Sequence, residues 1–185
     1  PLSLLWPRLR GLDWSEVAAD LGLTSGAGWP VEIKAGVFGY LASLPVVLAA
    51  GYLGRMLEHW ISRDPAPGKY SAFESTLGNS WAPVLMGAAG TMVWAPITEE
   101  MLTRGALYRA LRSKLGVFLS VAISAVIFGA IHPYSTAGIL TVTASGVMFA
   151  LVREWRGSLI APVTAHFMNN ATITGMQIMY LLAVD

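Results

Sequence analysis

The sequence contains no cysteine, so disulfides, thiolate zinc sites and a cysteine nucleophile are all excluded. Charge is also scarce: Asp, Glu, Lys and Arg make up 12% of the 185 residues, about half of what soluble domains carry. The net charge is only +1 and no dense basic tract is present. Because phosphate binding needs clustered Lys and Arg, no nucleic-acid partner is expected.

The few charges are distributed unevenly along the chain. Hydrophobic residues make up 55% of the sequence, which excludes a disordered chain. A helix needs ~20 apolar residues to cross the core of a bilayer. Long segments without any Asp, Glu, Lys or Arg are therefore predicted to lie in a membrane, and they cover 35–54, 75–98, 115–152 and 157–184.

These segments predict about five transmembrane helices and hence an all-α, multi-pass transmembrane helical bundle. The second helix continues beyond its apolar part as a basic amphipathic helix. We expect the spans at about 35–57, 82–114, 115–131, 138–152 and 158–182.

The chain is divided into two parts. Residues 1–80 hold an interfacial segment at 1–34, which mixes aromatic and charged side chains, the first span, and a polar loop around 63–69. Because the chain opens at Pro1 within an apolar patch, we expect further spans upstream. Residues 81–185 are predicted to form the catalytic core.

The short connections indicate the orientation. Lys and Arg follow the second span at 104–114 and the fourth span at 153–156, whereas 133–137 has no charge. Basic loops face the cytoplasm, so both basic connections are predicted to lie there. We expect an integral, multi-pass protein of a bacterial inner membrane.

Five ionisable side chains lie in or beside the predicted spans. Each costs ~2.5–3.5 kcal/mol or more inside a bilayer, so each is a functional candidate. Glu100 and Arg104 are four residues apart, the spacing of a helical ion pair. Glu99 is turned by about 100° on the same helix and escapes that pair, which leaves it as the free carboxylate. The five are Glu99, Glu100, Arg104, His132 and His166.

The two histidines each have a neighbour one helical turn away. Phe128 precedes His132 by four residues and is placed to pack on it, and Asn170 follows His166 by four. The Asn170 amide is suited to stabilising an oxyanion or orienting the ring. A lone buried histidine more often joins helices by hydrogen bonding, but a carboxylate beside two imidazoles is equipment for activating water. The combination indicates a hydrolase.

The depth of the two histidines is in conflict. His132 is predicted at the end of its helix opposite to Lys114, whereas His166 lies only ~12 Å along its helix from Ser158. Tilted or broken helices are needed to bring the two imidazoles to the same level.

The order of these motifs along the chain resembles that of the CPBP family. This family includes CAAX prenyl endopeptidases of the Rce1 type and bacteriocin-processing or Abi proteins. The resemblance covers residues of about 82–182, including the approach to the third motif at 157–162. The matching motifs are Glu99-Glu100-x-x-x-Arg104, Phe128-x-x-x-His132 and His166-x-x-x-Asn170.

The resemblance implies an intramembrane endopeptidase. Glu99 would be the general base for the attacking water, His132 and His166 would assist it, and Asn170 would join His166 at the oxyanion. The implied partners are the bilayer and a peptide or protein substrate with a hydrophobic or lipidated tail.

The resemblance also implies supporting roles, which Glu100, Arg104 and Phe128 would fill.

A zinc cofactor is the alternative to a metal-free glutamate mechanism, because the family is described in both ways. Zinc would be held by His132, His166 and Glu99. The separate base would then have to be Glu100, which would deprive Arg104 of its partner. We therefore favour the mechanism without a metal.

Three other classes of membrane protein are alternatives to an intramembrane endopeptidase of this family. A serine intramembrane protease would need a GxSG-like turn, and the first glycine is missing at 143–146; small residues there are typical of close helix packing. A proton-coupled transporter would be supported by inverted internal symmetry, which is not visible. A non-catalytic membrane immunity or scaffold protein stays open.

Overall fold

The computed structural model describes residues 9–61 and 81–184. These residues form six helices and no strands, which confirms the all-α bundle. The predicted loop at 63–69 lies outside the described residues. The helices are α1 (Trp14–Leu21), α2 (Trp29–Ile61), α3 (81–112, in several segments), α4 (Val117–Ala130), α5 (Thr136–Arg156) and α6 (Ile160–Val184).

The predicted spans correspond to helices α2 to α6, but these differ in length. Helices α2 and α5 have the length and hydropathy of membrane spans. Helix α4 has only 14 residues and is about 21 Å long, against ~30 Å for the hydrocarbon core. A helix of this length ends within the thickness of a bilayer.

Helix α3 is not a regular α-helix, although the sequence predicts one continuous span there. Two π-helical turns, Gly90–Trp94 and Met101–Leu107, flank the short α-helical segment Ala95–Glu100. Pro96 accounts for the first turn, because its ring has no N–H and clashes with the carbonyl four residues back. Turns of this kind are frequent at functional sites, and these two enclose both glutamates.

Helix α5 lies at the centre of the bundle, against α2, α4 and α6. Glycines on α2 allow the close approach. A Cβ added at Gly39 would lie 2.6 Å from a methyl carbon of Val152, and one at Gly54 would lie 2.6 Å from the Cα atom of Ala137. Small residues at such positions let helix backbones pack closely in membranes.

The start of α6 is fastened to the N-terminal part of the chain. The fully buried Glu32 accepts two hydrogen bonds from the Arg156 guanidinium, at 3.1 and 2.7 Å. The Leu159 N–H donates to the carbonyl of Gly22 at 2.8 Å. Helix α2 therefore begins at Trp29, earlier than predicted, because Arg156 neutralises the charge in its first turn.

We expect Arg156→Ala to lower the melting temperature of the purified protein by several degrees. The substitution leaves the carboxylate of Glu32, which has no exposed surface, without its cation. Arg109→Ala is the control, because Arg109 and Asp20 are 52% and 63% exposed and exposed pairs contribute little. Equal melting temperatures for the two variants would contradict the structural role of Glu32 and Arg156.

Candidate active site

Side chains from α3, from α6 and from the segment just after α4 meet around the carboxylate of Glu99. Its Oε2 atom lies 3.8 Å from Nε2 of His166 and 4.0 Å from Nε2 of His132. The structure thus brings together the three titratable groups that the sequence places on separate helices. Glu99 is 30% exposed and His166 only 5%, so the cluster is open on the carboxylate side.

The two imidazoles lie at the same level, which removes the depth conflict. His132 follows the last residue of α4, Ala130, by two positions. Because α4 is too short to cross a bilayer, its C-terminal end stays at the depth that His166 reaches from the start of α6.

Glu100 has two partners, and the sequence predicts only one of them. Its Oε1 atom accepts a hydrogen bond from Nη1 of Arg104 at 3.0 Å, and both side chains are fully buried. The same oxygen lies 2.9 Å from Nδ1 of His166. A carboxylate only accepts, so Nδ1 carries a proton, and in the neutral imidazole Nε2 then presents its lone pair to Glu99.

His132 is held in the same tautomer by a different group. Its Nδ1 atom lies 2.6 Å from the backbone carbonyl of Phe128, which also only accepts. Both Nε2 atoms therefore present lone pairs towards Glu99. The Phe128 ring packs edge-on against the imidazole of His132 at 5.0 Å, as the spacing predicts.

Arg104 connects α3 to α5. Its Nη2 atom donates to the carbonyl of Gly146 at 2.9 Å, and its guanidinium lies 4.4 Å above the ring of Phe128. A Cβ added at Gly146 would lie 3.1 Å from that ring and 3.2 Å from the guanidinium. The small residue that the sequence assigns to helix packing thus makes room for Arg104.

Asn170 is bound to the first π-helical turn. Its Nδ2 atom donates to the carbonyl of Thr91 at 2.9 Å. In an α-helix with a π turn that carbonyl would accept from residue 96, but Pro96 has no N–H. The Asn170 amide supplies a donor in its place, and this bond uses one of the two N–H groups of the amide.

Phe149 belongs to the site although the sequence analysis missed it. Its ring stacks on His166 with centroids 4.7 Å apart and 22° between the planes. It lies on α5, which carries none of the motif residues. Nothing in the sequence distinguishes Phe149 from the other buried residues of that helix.

The two distances from Glu99 to the imidazoles are longer than the spacing of ligands around a tetrahedral zinc ion. Within 9–61 and 81–184 no group of three His, Cys, Asp or Glu side chains is arranged to hold a metal. Ligands at zinc distances stand about 3.4 Å apart in a tetrahedral site, closer than the 3.8 and 4.0 Å found around Glu99. Glu100, the only other carboxylate of the cluster, is bonded to Arg104 and His166.

An apolar groove of about 330 Å³ lies between α2, α3 and α6, and none of the candidate site residues lines it. On α3 it is lined by residues just before Glu99, and on α6 by residues on either side of His166. The groove thus runs past the two helices that carry most of the cluster. It is lined by Ile33, Val37, Val93, Pro96, Ile97, Val163, Thr164, Phe167 and Met168.

Part of the chain is similar in sequence to known proteins. Residues 79–172 match the family described as type II CAAX prenyl endopeptidase Rce1-like. A protein of Bacillus subtilis (strain 168) that carries the name membrane peptidase YdiL is 35% identical over 83 residues, which are 45% of this chain and 34% of that protein. The chain thus matches about a third of the length of this curated relative. No solved structure matches the chain.

Proposed function

Because the chain belongs to the Rce1-like family of type II CAAX prenyl endopeptidases, we propose that it is an intramembrane endopeptidase with Glu99 as its general base. The observation that carries the proposal is the convergence of three acceptor atoms. Both imidazoles are bonded elsewhere through Nδ1, so in the neutral rings two Nε2 lone pairs lie within 4.0 Å of the Glu99 carboxylate. Three hydrogen-bond acceptors this close together need a proton donor between them.

A water molecule meets this need and is also the nucleophile. One of its protons passes to Glu99 while its oxygen attacks the carbonyl carbon of the peptide bond. The Nε2 atoms of His132 and His166 accept the hydrogen bond of the other proton and orient the water. The proton held by Glu99 then passes to the leaving amine, so that one peptide bond and one water give a carboxylic acid and an amine.

The tetrahedral intermediate carries negative charge on the former carbonyl oxygen. Asn170 is proposed to stabilise that charge with the N–H that its bond to Thr91 leaves over. Glu100 and Arg104 hold His166 in the required tautomer. No step of this mechanism passes through a metal ion.

The substrate is proposed to be a peptide or protein with a hydrophobic or lipidated tail that lies in the bilayer. The apolar groove supports this proposal, because apolar side chains bind apolar segments. By the positive-inside rule the site would be reached from the cytoplasmic side of a multi-pass protein in a bacterial inner membrane.

The proposal is tested by cleavage of fluorescence-quenched peptides in vesicles that contain the full chain. We expect peptides with an apolar or acylated tail to be cleaved, and peptides with a polar tail to be cleaved more slowly. Exhaustive chelation should leave the rate within about twofold, since a three-ligand zinc site would be the source of activity only in the alternative mechanism.

Two results would contradict this proposal. No cleavage of any peptide by wild-type protein would refute the peptidase activity. Stoichiometric zinc, with activity lost on its removal and restored on its return, would refute the mechanism without a metal.

A further inference from the structure

Three contacts determine the orientation of the His166 ring. Its Nδ1 atom bonds to Glu100 at 2.9 Å. The Phe128 ring meets it edge-on, with centroids 5.8 Å apart and an interplanar angle of 89°. Phe149 lies almost parallel to it at 4.7 Å and is only 2% exposed.

The hydrogen bond alone does not aim Nε2 at Glu99. Rotation about the second side-chain torsion of histidine moves Nδ1 and Nε2 together, so the bond at Nδ1 restricts this broad torsion to the range that hydrogen-bond geometry tolerates but does not fix one ring plane. Rotation about that torsion moves Nε2 away from Glu99. A flat aromatic face against the imidazole restricts this rotation, because offset stacking is favourable only between nearly parallel rings.

Phe149 is itself held firmly. It packs in a buried cluster with Tyr40 and Ala165, and the guanidinium of Arg104 lies 5.5 Å from its ring centroid. The residue that positions His166 is therefore part of the rigid centre of the bundle rather than of a loop.

We propose that Phe149 is a positioning residue, which holds the His166 ring in the plane that directs Nε2 at Glu99. This inference rests on the proposed hydrolysis, in which that lone pair orients the water. It assigns α5, which carries no motif residue, a role in turnover as well as in packing.

The test replaces Phe149 with Leu, and with Met as a second variant that fills more of the space. Both keep an apolar side chain and lose the flat face. Val152→Ala is the matched control, because Val152 is a buried residue of the same helix that packs in a separate cluster with Ala35 and Ala161. Cleavage kinetics, melting temperature and histidine ¹⁵N spectra are measured for each variant in vesicles or detergent.

We expect the Phe149 variants to lower kcat by about ten- to a hundredfold with KM within about twofold, the cost of a misplaced group. Val152→Ala should also lower the melting temperature while keeping kcat within about twofold of wild type. Equal kcat values for the Phe149 and Val152 variants would overturn the proposal.

The spectra separate this inference from the proposed function. The chain has three histidines, so single His→Gln variants assign the signals. His166 should stay protonated at Nδ1 in all variants, because Glu100 still accepts that hydrogen bond. Its Nε2 signal should be single and sharp in the wild type and split or broadened in the Phe149 variants, where the ring takes more than one orientation. If the wild-type protein cleaves nothing, the peptidase proposal fails, and a single sharp Nε2 signal in the Phe149 variants would then refute the positioning role independently.

Discussion

Replacement of Glu99 with Gln is expected to lower kcat by about 10²–10⁴-fold, the contribution of a general base. The side chain keeps its shape but can no longer take a proton from water. Stability should be unchanged or slightly higher, because Glu99 faces two lone pairs at 3.8 and 4.0 Å and an amide N–H would relieve that repulsion. Cleavage rates and thermal unfolding of the same preparation measure both effects.

Glu100→Gln is the matched control for this prediction. It alters the neighbouring carboxylate, which binds Arg104 and His166, and should lower activity and stability together. Glu99→Gln with near-normal turnover, or with the same loss of stability as Glu100→Gln, would refute the division of roles between the two acids.

The helices and their order were predictable from the sequence because charge is so rare in it. In the part of the chain that the structure describes, the charge-free runs lie mainly in helices, with 115–152 divided between α4 and α5. Spacings of four residues predicted the contacts of Glu100 with Arg104 and of Phe128 with His132. These are short-range features, since residues four apart on a helix share a face. The pair of Glu100 and Arg104 was found in this way.

Long-range partners were not predictable. The second partner of Glu100 is His166, which follows it by 66 positions, and the partner of Glu32 is Arg156. No local spacing relates such residues, and Phe149 carries no sequence signal because it belongs to none of the motifs and lies among other buried positions of α5. These contacts follow from the packing of α5 and α6.

The shape of α3 was only partly predictable. Pro96 signals a break in the helix, but the sequence does not show whether a kink or a π turn results. Two π turns resulted, and the first exposes the Thr91 carbonyl that binds Asn170. The position of an expected catalytic amide thus depends on a backbone irregularity elsewhere in the chain.

Arg104→Ala is expected to cost about 3–5 kcal/mol of the free energy of unfolding, the range for breaking a buried ion pair. Its guanidinium is fully buried, bonds Glu100 and Gly146, and lies on the Phe128 ring. The variant leaves the fully buried Glu100 carboxylate without a cation. The free energy of unfolding of Arg104→Lys should lie between those of the wild type and Arg104→Ala. Lysine keeps the positive charge, but its ammonium group cannot bond both acceptors as the planar guanidinium does.

The cause of this loss is tested by a double-mutant cycle with Glu100→Gln. If the unpaired carboxylate dominates, the double variant should unfold at a higher temperature than Arg104→Ala alone, because removing the charge removes its desolvation penalty. If Arg104→Ala does not fold, the double variant still gives a folded protein whose thermal unfolding can be measured. A double variant no more stable than Arg104→Ala would show that Arg104 acts through its contacts with Gly146 and Phe128. The role of Glu100 would then be its hydrogen bond to His166, and its ion pair with Arg104 would contribute little to the free energy of unfolding.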